Sequence, residues 1–337
     1  MNKIETQICS VTDTGLVREQ NEDCCGTVET QNGTLCVVCD GMGGHVGGME
    51  ASRIAVDCVV QYFSKDSYVD IRQAMWDALD FANLQIIGMA AENPALKGMG
   101  TTACVLLVQD GCVWLAHVGD SRIYLFVASE RRLHRLTKDH SYVQGLIDQG
   151  IIYEEEAESH PHKNRILKAL GIKEDLQVEI AERPVLPAKG DIFLICSDGL
   201  SGMVVDKRIE AILSEKTDLQ HKETALMTAA KAAGGLDNIT FQLVKINQSP
   251  HKKSVFESKN NIPPKTIRKR NMLKNTLLVV AGIILVTASF LLGRKSNQPQ
   301  PDIPEQPADT IQIINQIDTI PTNHTNQNNP INPSPDR

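Results

Sequence analysis

The period of the apolar positions along this chain changes repeatedly, and each change outlines an element. Residues 34–40 and 191–196 are short, nearly continuous apolar runs of strand length, the pattern of strands buried on both faces. Looser alternation over residues 3–11 predicts an edge strand. Residues 48–63 and 69–91 place apolar side chains at helical spacing, as in Ile54, Val56, Val59, Val60 and Phe63, and Asn93-Pro94 ends the second helix. Strands follow at 101–108, 112–118 and 122–128. Their connections, Gln109-Asp110-Gly111 and Gly119-Asp120-Ser121, predict neighbouring antiparallel strands. Short helices are expected at 142–149 and 154–159, a strand at 176–182, helices at 206–214 and 222–233, and a last strand at 238–246. Runs of strands with helices in separate pairs predict an α+β fold rather than βαβ units.

The apolar pattern changes character once more near the end. Residues 276–293 carry no charge and, as a helix, would be about 27 Å long, close to the ~30 Å of a bilayer's hydrocarbon core. One C-terminal transmembrane helix is therefore expected. It divides the chain into a globular domain at 1–247, a linker at 248–275, the span, and a tail at 294–337 rich in Pro, Asn and Gln and expected to be disordered. The linker holds Lys265, Arg268, Lys269 and Arg270, so the positive-inside rule puts the globular domain in the cytoplasm and the tail outside. The same cluster either only sets topology or also rests on anionic lipid. No apolar run of signal-peptide length opens the chain.

Charge narrows the partners. From residue 248 onward there are 11 basic and 6 acidic side chains, and before it 23 basic and 35 acidic. A globular part of that sign does not suit nucleic acid. All nine Cys lie within the first 196 residues, scattered and odd in number, which reads as buried free thiols in a reducing compartment and not as a disulfide framework. Cys36 and Cys39 lack a second pair for zinc, and a strand points them to opposite faces.

Candidate chemistry lies at the strand ends. Asp40, Asp120, Asp198 and Asp237 each stand at a strand edge beside a Gly or a turn residue. One such Asp is ordinary turn chemistry. Four in the same context predict one shared site of oxygen ligands for hard cations. The glycines at 41, 43, 44 and 47 are not followed by Gly-Lys-Ser/Thr and precede hairpins, so a nucleotide loop is excluded.

Six segments in order carry a resemblance. They are Asp13-Thr14-Gly15-Leu16-Val17-Arg18-Glu19-Gln20-Asn21-Glu22-Asp23, Asp40-Gly41-Met42-Gly43-Gly44-His45, Gly98-Met99-Gly100-Thr101-Thr102, His117-Val118-Gly119-Asp120-Ser121-Arg122, Cys196-Ser197-Asp198-Gly199-Leu200 and Asp237-Asn238-Ile239-Thr240. Together the globular domain resembles the bacterial type 2C, metal-dependent protein serine/threonine phosphatases. The resemblance implies a two-sheet antiparallel β-sandwich flanked by helix pairs. It implies hydrolysis of phosphoserine and phosphothreonine by in-line attack of a metal-bridging hydroxide on Mn²⁺ or Mg²⁺. Asp40 would bridge both ions, the Gly41 carbonyl would complete one, and Asp198 and Asp237 would hold the other. Asp120 and Ser159 would serve a third. Glu22, Asp23 and Asn238 would support from behind, and Arg18 would bind phosphate with its planar fork. Family members often place a proton-donating His directly after the Asp-Gly. Met42 stands there in this chain, and His45, three residues on, is the candidate acid. Residues 139–171 resemble the family's flap beside the active site, and His134, His140, His160 and His162 are expected at the surface. The implied partners are phosphorylated proteins and an opposing serine/threonine kinase. The alternative is a membrane-tethered pseudophosphatase that binds phosphoproteins without turnover.

Overall fold

The computed structural model describes residues 4–157 and 159–256, apart from the side chain of His45. The expected span at 276–293, the tail at 294–337 and the linker beyond residue 256 lie outside the described residues. Among the described residues, no helix is long and apolar enough to cross a membrane.

In chain order the elements are β1 (Glu5–Asp13), β2 (Asp23–Thr30), β3 (Gly33–Met42), α1 (His45–Lys65), α2 (Ile71–Glu92), β4 (Gly100–Thr101), β5 (Ala103–Gln109), β6 (Cys112–Val118), β7 (Arg122–Val127), β8 (Arg132–Arg135), α3 (Tyr142–Asp148), α4 (Glu154–Ala157), β9 (Glu179–Ile180), β10 (Ile192–Cys196), α5 (Asp198–Ser201), α6 (Asp206–Ser214), α7 (Leu219–Ala232) and β11 (Ile239–Gln248). One sheet runs β1-β11-β10-β7-β8, and the other β2-β3-β5-β6-β9 with β4 beside β3. Strand neighbours pair antiparallel throughout. This is the expected α+β sandwich.

Strand alternation sorts the apolar residues into three layers. Cys36, Val38, Cys104, Leu106 and Leu115 meet Ile123, Leu125, Phe193, Ile195 and Val244 between the sheets. The other face of β3 and β5, with Leu35, Val37, Val105 and Leu107, packs on α1 and α2. The other face of β10 and β11, with Leu194, Cys196, Phe241 and Leu243, packs on α6 and α7. All nine Cys are free.

The inner layer turns polar at one end. Two residues beyond Val38 stands Asp40, two before Cys104 stands Thr102, two before Ile123 stands Ser121, and two beyond Ile195 stands Ser197. On β11 the same face holds Gln242 and Thr240, with Asn238 just before the strand. Period two carries each strand's inward face from core into this polar cap.

Three sequence expectations change. The turn Gly119-Asp120-Ser121 does not close a hairpin: β6 and β7 belong to different sheets, so it crosses the sandwich edge. Turn residues report a sharp reversal and not which sheet receives the next strand. By contrast, Asp110 and Gly111 at φ 43° and 87° do close the β5–β6 hairpin. The strand expected at 176–182 shrinks to β9, because Leu176 and Val178 cover the α1–α2 layer without joining the ladder. His140 is buried and not at the surface.

After β11 the chain folds back as a strap. Ser249 Oγ donates to Pro187 O at 2.5 Å, His251 Nε2 to Gly111 O at 2.8 Å, and Leu186 and Val255 exchange two backbone hydrogen bonds of 2.9 Å. The Ser254 hydroxyl donates to Asp191, and Phe256 packs on His134. These partners lie at the strand ends away from the polar cap.

Candidate functional site

Asp40 closes β3 with its backbone pinned on both sides. Its N–H donates to Thr102 Oγ1 at 3.0 Å, and its carbonyl accepts from Thr102 N at 2.9 Å and Thr101 Oγ1 at 2.8 Å. Gly41 is demanded by packing: a Cβ there would stand 2.1 Å from Gly48 O and 2.5 Å from Glu22 O. Asp23 on β2 pairs directly with Asp40 across the ladder, which sets two carboxylates side by side on one face. Ser197 Oγ donates to Asp23 Oδ2 at 2.8 Å.

Asp198 follows β10 and opens the single turn α5, which packs so tightly on the start of β11 that a Cβ at Gly199 would lie 1.9 Å from Asn238 O. The Asp198 and Asp40 carboxyls stand close enough for each to shift the other's protonation. Asp237 precedes β11. Asn238 beside it is a clamp: its Nδ2 donates to Thr14 O and Gln20 O at 2.9 Å, and its Oδ1 accepts from Glu22 N at 2.8 Å. It thereby fixes the loop that carries Arg18. Arg18 Nη2 donates to Asp237 Oδ2 at 2.8 Å, with both side chains partly exposed, so the guanidinium stands at the mouth of the cluster. Glu22 is buried, and its carboxylate lies against Gly48 in the first turn of α1. Asp120 sits in the sheet-crossing turn after Gly119, whose φ of 101° suits glycine.

The charges here are expensive. Burial first, then the neighbouring carboxylates Asp23, Asp198, Asp120 and Asp237, holds Asp40 well above the usual carboxylate range. Asp120 is raised by burial and then by Asp198 and Asp139, and Asp198 by burial and then by Asp237. Asp23 is pushed up to about 7, chiefly by burial, against the opposing hydrogen bonds from Thr240 and Ser197. Burial works against the charge of Arg18, but Asp237, Glu22 and Asp40 raise its pKa.

Such a cluster fits divalent cations. Its donors are all oxygen, the type that suits Mg²⁺ and Mn²⁺. Asp120 Oδ1 is buried without a hydrogen-bond partner, which a native protein rarely tolerates at an atom with no task.

Two candidates stand apart. The Ser159 hydroxyl is exposed and donates to Glu156 O at 3.2 Å within its own loop. His45 begins α1, but its side chain lies outside the described atoms. Sequence reasoning passed over the hydroxyls behind the carboxylates: Ser197 bonds Asp23, and Ser121 bonds Thr102, which holds the Asp40 backbone. It also passed over the half-buried pair Arg122–Asp139, whose Nη2–Oδ2 distance is 2.7 Å and whose cation opposes the upward shifts of Asp120 and Asp198 while Asp139 adds to that of Asp120. Ser121 and Ser197 have inward parity at their strand ends, whereas Arg122 shares the outward parity of Tyr124 and Phe126.

A family profile described as protein phosphatase 2C matches residues 17–233. The chain belongs to the protein phosphatase 2C family. Protein phosphatase PhpP of Streptococcus pneumoniae serotype 2 is 38% identical over 246 residues, covering 72% of this chain and 98% of that protein. Serine/threonine phosphatase stp of Listeria welshimeri is 37% identical over 241 residues, covering 70% and 94%. Among solved structures, the serine/threonine phosphatase of S. agalactiae aligns with a TM-score of 0.68 at 34% identity, covering 72% of this chain and all of that one. The catalytic domain of the phosphatase PstP, solved with two manganese ions, aligns at 0.63 and 31% identity, covering 72% and 99%. The protein is a 2C-type protein serine/threonine phosphatase, an enzyme of a metal-dependent family acting on phosphoproteins.

Proposed function

We propose that this phosphatase 2C works with two divalent cations, Mn²⁺ or Mg²⁺, held by Asp40, the Gly41 carbonyl, Asp198 and Asp237, with Asp120 and Ser159 serving a third. The observation that carries the reading is the meeting of carboxylates from four separate segments at the polar end of the sandwich, with one Asp120 oxygen left unpartnered. Bound ions would neutralise phosphoryl charge and acidify water. The chain's own residues do the rest. Arg18 offers two parallel N–H groups to phosphoryl oxygens and holds the ester in line. Thr101 and Thr102 fix Asp40, Ser197 orients Asp23, and Asn238 locks the loop of Arg18 and Glu22. His45, placed after the Gly-rich turn, gives a proton to the departing serine or threonine oxygen.

In the cell the enzyme would oppose a serine/threonine kinase. It would be tethered by residues 276–293 to the cytoplasmic membrane, with the catalytic domain facing the cytoplasm. The test is turnover of an aryl phosphate with Mn²⁺. Activity should vanish on chelation and in Asp198→Asn. A folded wild-type chain without turnover would leave only phosphoprotein binding. His45→Ala should slow alkyl phosphate esters more than aryl ones, since an aryl leaving group needs no acid. Equal losses on both would remove His45 from the mechanism.

A further inference from the structure

His140 is a buried side chain to which the catalytic reading gives no task. Its exposure is 8%, its ring stacks on buried His117 at 4.8 Å and 14°, and its Nε2 lies 3.4 Å from Glu179 Oε1. The ligand atoms of His117, His140 and Glu179 fall within 4.8 Å of one another, close enough for a cation. Proton positions argue otherwise. His117 Nε2 gives its hydrogen to Lys138 O at 2.9 Å. His140 Nδ1 accepts the Gly119 N–H at 3.2 Å, so in the neutral ring Nε2 carries the proton and points it at Glu179. Both His140 nitrogens are spoken for by hydrogen bonds. Rings stacked nearly parallel also cannot aim two in-plane lone pairs at one ion.

What His140 grips is more informative. Its side chain takes the Gly119 N–H, and its own N–H donates to Gly119 O at 2.9 Å. Both polar groups of the residue before Asp120 are thus held by one side chain and one backbone. On the other side, the His140 carbonyl accepts from Leu167 N at 2.7 Å, Ser141 bridges Ile166, and Tyr142 N donates to Arg165 O at 2.8 Å. These three contacts close the base of the flap over residues 142–165. The joint therefore has the Asp120 turn on one side and the two legs of the flap on the other.

We infer that His140 is a positioning residue that couples the seating of the flap to the placement of Asp120, so that a cation held at Asp120 and a closed flap base favour each other. The inference rests on the reading of Asp120 as a cation ligand. The coupling is reciprocal: whatever loosens the flap base weakens the cation, and the cation tightens the flap.

Two conservative variants separate the grip from mere space filling. His140→Asn keeps an acceptor near the Nδ1 position, for Gly119 N–H. His140→Gln keeps a polar group near Nε2, for Glu179, but loses the Gly119 contact. The readout is trypsin cleavage after Lys163 and Arg165 in the flap, with and without Mn²⁺, on the full chain. In the wild type, Mn²⁺ should slow cleavage by at least about fivefold, the low end of ordinary coupling. His140→Asn should retain that protection and His140→Gln should lose it, with both variants melting cooperatively. Asp120→Asn should lose it as well. Protection that survives Asp120→Asn would refute Asp120 as the cation's seat. Protection that survives His140→Gln, or a wild-type flap indifferent to Mn²⁺, would overturn the coupling itself.

Discussion

At the scale of single residues, Asp23 and Asp40 stand opposite each other on paired strands, where like charges disfavour folding. The protein keeps them together, with Asp120 and Asp198, at a cost that depends on pH. A carboxyl whose folded pKa lies above its unfolded value binds more protons when folded. Its contribution to stability is therefore lost as pH rises between the two values. For Asp23 that window runs from 3.8 to about 7. The metal-free protein should accordingly melt at a lower temperature near neutrality than near about pH 5. Mn²⁺ should restore most of the difference at neutral pH, because it supplies the opposite charge. Melting curves in chelator and in Mn²⁺ check both, and a metal-free protein most stable at neutral pH would contradict the reading. Arg18 gives a second prediction at this scale. Arg18→Lys keeps the charge but loses the fork, so kcat/KM should fall roughly tenfold to a hundredfold with little change in melting temperature. Unchanged kinetics would leave Arg18 as only an ion-pair partner of Asp237.

At the scale of elements, β3 and β10 were legible because buried strands write themselves as continuous apolar runs that stop at an Asp. The helices α1, α2, α6 and α7 were legible from their spacing. β2 was not: Asp23-Cys24-Cys25-Gly26-Thr27-Val28-Glu29-Thr30 is an edge strand with mostly half-buried positions, and its polar alternation resembles a loop. β8 is four residues, Arg132-Leu133-His134-Arg135, too short for a period. The candidate carboxylates were visible through their glycines, and packing shows why glycine stands beside two of them. Gly41 lets β3 pass within touching distance of Gly48 at the start of α1. Gly41→Ala should destabilise the fold by about 1–3 kcal/mol, as overpacking does, and weaken Mn²⁺ dependence with it. Urea unfolding and a metal titration measure the two. A stable, fully active variant would show that the strand end can shift freely. The orienting hydroxyls were not legible, because a Ser or Thr at a strand end looks like any other until two sheets face each other.

For the whole molecule, the sandwich separates duties by its two ends. One end gathers carboxylates, and the other is closed by the strap at 249–256. Removing the strap should cost about 2 kcal/mol or more, since it removes several hydrogen bonds at buried groups, among them those to Gly111 O and Asp191. It should leave aryl phosphate turnover per folded molecule unchanged, because among the described residues no strap contact reaches Asp40, Asp120, Asp198 or Asp237. Melting temperature and specific activity of chains ending at 248 and at 256 make the comparison. A truncated chain with full stability and lost turnover would reverse the assignment.

The strap also keeps residues 249–256 at one end of the sandwich. Asp191, which the strap holds, and Asp198 of the carboxylate cluster sit at opposite ends of β10, roughly 20 Å apart at the rise of a strand. Residues 249–256 and the carboxylate cluster therefore lie at opposite ends of one strand. A bulky phosphorylated client can approach the carboxylates without meeting the strap at 249–256.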